Sequence, residues 1–316
     1  KLEYWNGEIW LQIHTFSPNL DGGARATFSG GQTPSSNYNI IDYITISTAG
    51  NAQDFGDLNT SPLGARAAAD RTRGIIAGGY TPSVINTIEY ITISSTGNAQ
   101  DFGDLPSIQS YSGALNNGTR AVFGGTFVPG GFQNIIQFVT IQSTGSADDF
   151  GDLPFTMQVD AAAASPTRGI FFGGYVTAPT RAVNTIHYIT TATTGNAQDF
   201  GDMTIKQYAN AACSNSIRAV SAGGNDYPNK LSSMEFVTIA TKGNSTSFGS
   251  IAATTNYPAA ASSPTRGVIA GGNTPTHLDT IQYISFATEG DAVDFGDLTQ
   301  ARNQLGGLSN ANGGLG

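Results

Sequence analysis

The chain is poor in charge and poorest in lysine. Charged residues fill 12% of its 316 positions, against about 25% in an ordinary globular chain. The lysines are Lys1, Lys206, Lys230 and Lys242, and the net charge is −9. A nucleic-acid binder needs a basic stripe to neutralise phosphates, so no nucleic-acid partner is expected. No stretch approaches 18 uninterrupted apolar residues, so no transmembrane helix and no membrane insertion are expected. Cys213 stands alone, which excludes an intrachain disulfide and a cysteine-based metal site. The histidines, His14, His187 and His277, are far apart; neither metal nor cofactor is implied. No charged segment precedes an apolar run as in a signal peptide, and a chain opening on Lys1 is expected to be processed or part of something longer. Low charge does not mean disorder here, because 39% apolar and 10% aromatic content can build a core.

What the sequence has in abundance is repetition. Glycine doublets end at Gly31, Gly79, Gly125, Gly174, Gly224 and Gly272, spaced by 48, 46, 49, 50 and 48 residues. A second anchor, the aromatic of the "NAQDFGDL" type, falls at Phe55, Phe102, Phe150, Phe200, Phe248 and Phe295, spaced by 47, 48, 50, 48 and 47. Each unit reads as four short strands, here lettered a to d. Strand a is a run of small residues, and strand b is an apolar run ending in Gly-Gly. Strand c is a β-branched, alternating "NTIEYITI" segment, and strand d carries the Phe. No sustained 3.6-residue period occurs, so little helix is expected. Four-stranded units of this length are propeller blades.

The whole of 1–316 is therefore expected to be one all-β propeller domain. Leu2–Trp5 reads like strand c, Gly7–Trp10 like the start of strand d, and Gly306–Gly316 like the next a and b strands. Joining them would add one blade, closed by residues 1–14 with 299–316, to six complete four-stranded blades. Seven blades are expected, with the seam removing two open sheet edges.

These residues resemble kelch-type propellers. The Gly78-Gly79 doublet, the Glu89-Tyr90 pair and Phe102 fill the places of the kelch glycines, the acid-and-aromatic strand and the last-strand aromatic, which is usually Trp. The uniform "EYITI…GNAQDFGDL…SPTRG…AGG" pattern is similar to kelch-like repeat proteins of marine bacteriophages. That resemblance implies a virion surface protein such as a tail fibre.

Two charged positions recur. Arg25, Arg73, Arg120, Arg168, Arg218 and Arg266 precede strand b, and Asp57, Asp104, Asp152, Asp202 and Asp297 follow Phe-Gly. Recurrence in every unit suits a structural Arg–carboxylate tie better than an anion-binding ring. The Asp-Phe-Gly-Asp turns offer two carboxylates where calcium wants six to eight oxygens, so turn capping is favoured over a calcium site. The "DFG" string lacks a kinase's other parts. The Cys, Tyr and His constellation of copper oxidases is not assembled by Cys213 and three scattered histidines, and no nucleophile-elbow motif occurs. A catalytic role is not expected.

The a–b and c–d turns, which share one face, are nearly identical between units. The b–c and d–a loops, on the other face, vary, and loops on a rigid scaffold are where binding usually lives. The varied loops carry Tyr80, Tyr111, Phe127, Phe132, Tyr175, Tyr208, Tyr227 and Tyr257 among Asn, Thr and Gln. These aromatics are the candidate ligand site, for a host-surface glycan or protein; the alternative is that they pack the blade tops. The expected role is a non-enzymatic virion surface module, a tail fibre, spike or head decoration, located on the virion with other virion proteins as partners and with homo-oligomers open. Alternatives are a secreted or cell-surface lectin or adhesin, and an enzyme acting on polysaccharide.

Overall fold

A computed structural model describes Leu2–Trp5, Trp10–Ile13 and residues 24–311. The described chain is an all-β propeller without helices. Six four-stranded antiparallel sheets, each in the order a-b-c-d, stand around one axis. Blade 1 comprises Gly306–Ser309, Arg25–Ser29, Ile40–Thr45 and Gln53–Asp57. Blade 2 comprises Arg66–Ala69, Arg73–Ala77, Thr87–Thr92 and Gln100–Asp104. Blade 3 comprises Gly113–Asn116, Arg120–Val128, Gly131–Thr140 and Asp148–Asp152. Blade 4 comprises Ala161–Ala164, Arg168–Tyr175, Ala182–Thr190 and Gln198–Asp202. Blade 5 comprises Ala211–Ser214, Arg218–Ala222, Ser233–Thr238 and Thr246–Ser250. Blade 6 comprises Ala259–Ser262, Arg266–Ala270, Thr280–Ser285 and Val293–Asp297.

The expected seventh blade does not form among the described residues. Gly306–Ser309 instead pairs with Arg25–Ser29, Ala26 opposite Ser309 and Ser29 opposite Gly306. The unit beginning at Arg25 lacked an a strand of its own among the described residues, and the C-terminal strand fills that place. The ring therefore closes within blade 1. Leu2–Trp5 and Trp10–Ile13 do pair with each other, but as a separate two-stranded sheet. The remaining parts of the expected closure, in residues 6–9, 14 and 312–316, lie outside the described residues.

Hydrophobic packing follows the same ring. Each core cluster lies between two neighbouring blades: Ile41, Phe55 and Leu58 of blade 1 pack on Ile76 and Ile91 of blade 2, and Phe28 of blade 1 packs with Val268 and Phe295. The a strands are mostly Ala, Gly and Ser, with Arg66, Leu115, Asn116, Cys213 and Leu308 among them, because six of them converge on the axis, where there is little room for large side chains. Two cavities among them are small, about 40 Å³ near Arg66 and Asp160 and about 20 Å³ farther along, room for a few waters at most.

The repeated motifs are the contacts between blades. At the rim, the c–d turn of one blade pairs with strand d of the blade before it. Gly97 N–H donates to Phe55 O at 2.7 Å and Ala99 N–H to Asp57 O at 2.8 Å, and equivalent pairs run right round to Gly50 with Phe295. A Cβ on Gly56 would lie 2.5 Å from Gly97 O, so glycine is required where the two backbones touch.

The six recurrent arginines staple the blades, but not to the recurrent aspartates. Arg168 Nη1 donates to Ile239 O at 2.8 Å and Ala240 O at 3.0 Å in the next blade, while its guanidinium lies 4.7 Å over the Tyr188 ring of its own. Arg25, Arg73, Arg120, Arg218 and Arg266 repeat the carbonyl contact and sit over Tyr43, Tyr90, Phe138, Phe236 and Tyr283. Those rings in turn stand edge-on to the repeated Phe, as Tyr43 does to Phe55 at 6.0 Å. The expected Arg–Asp tie is thus corrected. Among the described residues the ion pairs are Arg66–Asp160, Arg218–Glu289 and Arg302–Asp42, none of which uses Asp57, Asp104, Asp152, Asp202 or Asp297. A guanidinium that satisfies carbonyls and stacks on a ring needs no carboxylate.

A further clasp explains the acidic residue of strand c. The side chain there accepts a hydrogen bond from the backbone N–H just past strand d of the preceding blade: Glu89 from Asn59 at 3.2 Å, Glu235 from Thr204 at 2.9 Å, Gln282 from Ala252 at 2.8 Å and Asp42 from Thr299 at 3.2 Å. In blades 3 and 4 the donor position is Pro106 or Pro154, which has no N–H. The facing residues there are Gln137 and His187, neutral in place of acidic. Gln137 Oε1 and His187 Nδ1 are left without a hydrogen bond.

Candidate binding face

The b–c and d–a loops lie together. Each d–a loop bridges the start of the b–c connection in the blade it leads into, as Ser110 does with Phe127, Gln158 with Tyr175 and Tyr208 with Asn225. In blades 3 and 4 strands b and c run past the sheet as longer hairpins, ending at Val128 with Gly131 and at Tyr175 with Ala182.

The eight expected ligand aromatics separate into three groups. Tyr111 and Tyr257 face each other at the axis, centroids 6.0 Å apart. Tyr111 Oη donates to Gln304 Oε1 at 3.0 Å, and burial pushes its phenol up to about 12. Burial pushes Tyr257 up as well. Beneath them Arg66 spans the mouth, its Nη2 2.6 Å from Asp160 Oδ1 and its Nε 3.1 Å from Ser112 O. Tyr111 thus packs against both Tyr257 and the Arg66 guanidinium, 5.9 Å from its ring centroid.

Phe127, Phe132, Tyr175 and Tyr208 form a continuous strip. Successive centroids are 5.9, 5.3 and 4.8 Å apart. All four rings are half-buried, so each presents one surface to solvent and rests on its neighbour. The strip starts on the blade 3 hairpin, crosses the blade 4 hairpin and ends on the loop between blades 4 and 5.

Tyr80 and Tyr227 are the most exposed of the eight, at 42% and 58%. Tyr80 stands away from the strip in blade 2. Tyr227 lies under Arg181, whose guanidinium carbon is 4.0 Å from the ring centroid. Arg181, Arg66 and Asp160 were not singled out by the repeat. Their signal was their departure from it, since each is a charge at a position uncharged in the other units.

Among the described residues no three His, Cys, Asp or Glu side chains converge to hold a metal ion. His187 is buried against Phe155, ring centroids 5.5 Å apart, and burial lowers its pKa. Cys213 is buried beside the axis with its thiol pushed up to about 12, which keeps it protonated and a poor nucleophile at neutral pH. No family model matches the sequence, and no curated protein matches it.

Proposed function

We propose that the chain is a non-enzymatic recognition module of kelch type on a virion surface, a tail fibre, spike or head decoration, binding a host-surface glycan or protein through its varied face. The observation that carries this reading is the Phe127–Phe132–Tyr175–Tyr208 strip, four rings in succession, the first three on the longest hairpins and the last on the loop beside them. Rings flanked by Asn, Gln and Tyr hydroxyls offer both stacking surface and neutral hydrogen bonds. The rest of the repeat is consumed in holding blades together, which leaves the varied loops free to differ.

Gold-tagged antibody against the chain, applied to native source material and viewed by electron microscopy, tests the location. Label at fibre tips supports receptor binding, and label over the capsid supports decoration. Label on cells or soluble material without particles moves the protein to the secreted or cell-surface adhesins. Cleavage of host polysaccharide by purified protein would overturn the non-enzymatic reading.

A further inference from the structure

Ten arginines occur in the sequence, and nine are engaged. Six bind backbone carbonyls of the next blade. Arg66 and Arg302 bind Asp160 and Asp42, and Arg71 also has a partner. Among the described residues Arg181 alone has no hydrogen bond from its guanidinium and no carboxylate within ion-pair range; its contact is the Tyr227 ring. A guanidinium carries five donors in a planar fork matched to carboxylate, sulfate or phosphate oxygens.

Its position relates it to the strip. Tyr175 pairs with Ala182 across the blade 4 hairpin, and Val176 N–H donates to Arg181 O at 2.6 Å. Arg181 is therefore held beside Tyr175, in a left-handed conformation with φ 60° that a non-glycine residue seldom adopts. Its charge is felt at Tyr208, where it partly offsets the upward push of burial on the phenol. Lys206, exposed two residues before Tyr208, also lacks a partner. In a chain of net charge −9, two unpaired cations thus stand at the end of the aromatic strip.

Resting on the reading that this face binds a glycan, we propose that its ligand is an anionic polysaccharide, sugar rings against Phe132, Tyr175 and Tyr208 and acidic oxygens on Arg181. Carboxylated and sulfated sugars share that chemistry. A neutral ligand would leave a guanidinium that stacks on Tyr227 without a charged acceptor for its donors, and an anionic one would find no other arginine without a hydrogen-bond or ion-pair partner among the described residues.

Affinity electrophoresis of the purified chain in gels containing dextran, polygalacturonate or dextran sulfate tests this. The expected result is retardation by one or both polyanions and not by dextran, weakening at least tenfold in Arg181→Gln and as salt rises. Lys242→Gln, which removes one charge from a c–d turn on the opposite face, should bind like wild type and shows whether the loss is local. Retardation by polygalacturonate alone assigns a carboxylated sugar, and by dextran sulfate alone a sulfated one. Retardation by dextran that Arg181→Gln leaves unchanged overturns the anionic ligand but keeps the glycan-binding face. Migration unaffected by all three polymers overturns both. Equal losses in Arg181→Gln and Lys242→Gln reduce the effect to net charge and overturn the assignment to Arg181.

Discussion

Arg66 and Asp160 come from blades 2 and 4, pass over the blade between them, and meet at 2.6 Å with both side chains buried. The pair completes a ring. Around the axis, Tyr111 N–H donates to Gly64 O, Gly64 to Gln304, Gln304 to Tyr257 and Tyr257 to Ala209. All five residues have φ between 53° and 67°. Val159 holds the sixth place without that conformation, which a β-branched residue resists, and its N–H goes to Gly125 O instead. Asp160 fills the gap, accepting from Ala209 N–H at 2.9 Å and from Arg66, which also reaches Ser112 O.

Removing one member of this pair strands the other. Asp160→Ala is expected to cost about 3–5 kcal/mol, as for a buried ion pair broken on one side. Arg66→Met with Asp160→Leu should recover much of that, though not all, because Ala209 N–H still loses its acceptor. Urea unfolding of the singles and the double gives the coupling; additive losses would contradict the pairing.

The corrected staple makes a contrasting pair of predictions. Arg168→Ala should cost about 2 kcal/mol, for two charged hydrogen bonds and a cation–π contact partly exposed to water. Asp202→Ala should stay within about 0.5 kcal/mol, as at an ordinary surface site. Comparable losses at both would restore the Arg–Asp tie.

Burial raises the pKa of Glu89 above its ordinary 4.5. The folded state then holds the proton more tightly than the unfolded one, so stability falls as pH rises from the ordinary carboxylate pKa through the raised one. Glu89→Gln keeps the acceptor for Asn59, as Gln282 does for Ala252, without burying a charge. It should melt above wild type at pH 7, the difference closing in acid. Melting curves against pH check this, and a lower Tm at pH 7 would count against it.

The missing clasp of blade 4 can be restored. Pro154→Thr with His187→Glu copies Thr204 with Glu235, and the two changes should couple favourably by about 1 kcal/mol in a double-mutant cycle. No coupling would mean that the acid of strand c serves something other than the preceding blade.

The fold was largely legible because period, strand pattern and turn chemistry all agree in six copies. Blade count was not, because a lone a-type strand such as Gly306–Ser309 can begin a new blade or complete an old one. Only the pairing with Arg25–Ser29 decides between them. The Arg168 staple was visible as a recurrence, while its partner was a backbone carbonyl, which has no letter in a sequence. The candidate face is proposed from its variation; the grouping of its tyrosines was not legible, since nothing in the sequence marks Tyr111 and Tyr257 for the left-handed backbone that Tyr175 and Tyr208 lack.

The central claim is that the aromatic strip recognises a host surface and the constant faces are scaffold. Adsorption of the purified chain to host cells tests it most directly, comparing Tyr175→Ala/Tyr208→Ala with Ile217→Ala, a residue 60% exposed on an a–b turn of the opposite face. The account predicts at least tenfold weaker adsorption for the double variant, with Ile217→Ala like wild type and all three proteins folded by circular dichroism. Undiminished adsorption of a folded double variant, or an equal loss at Ile217, would contradict it.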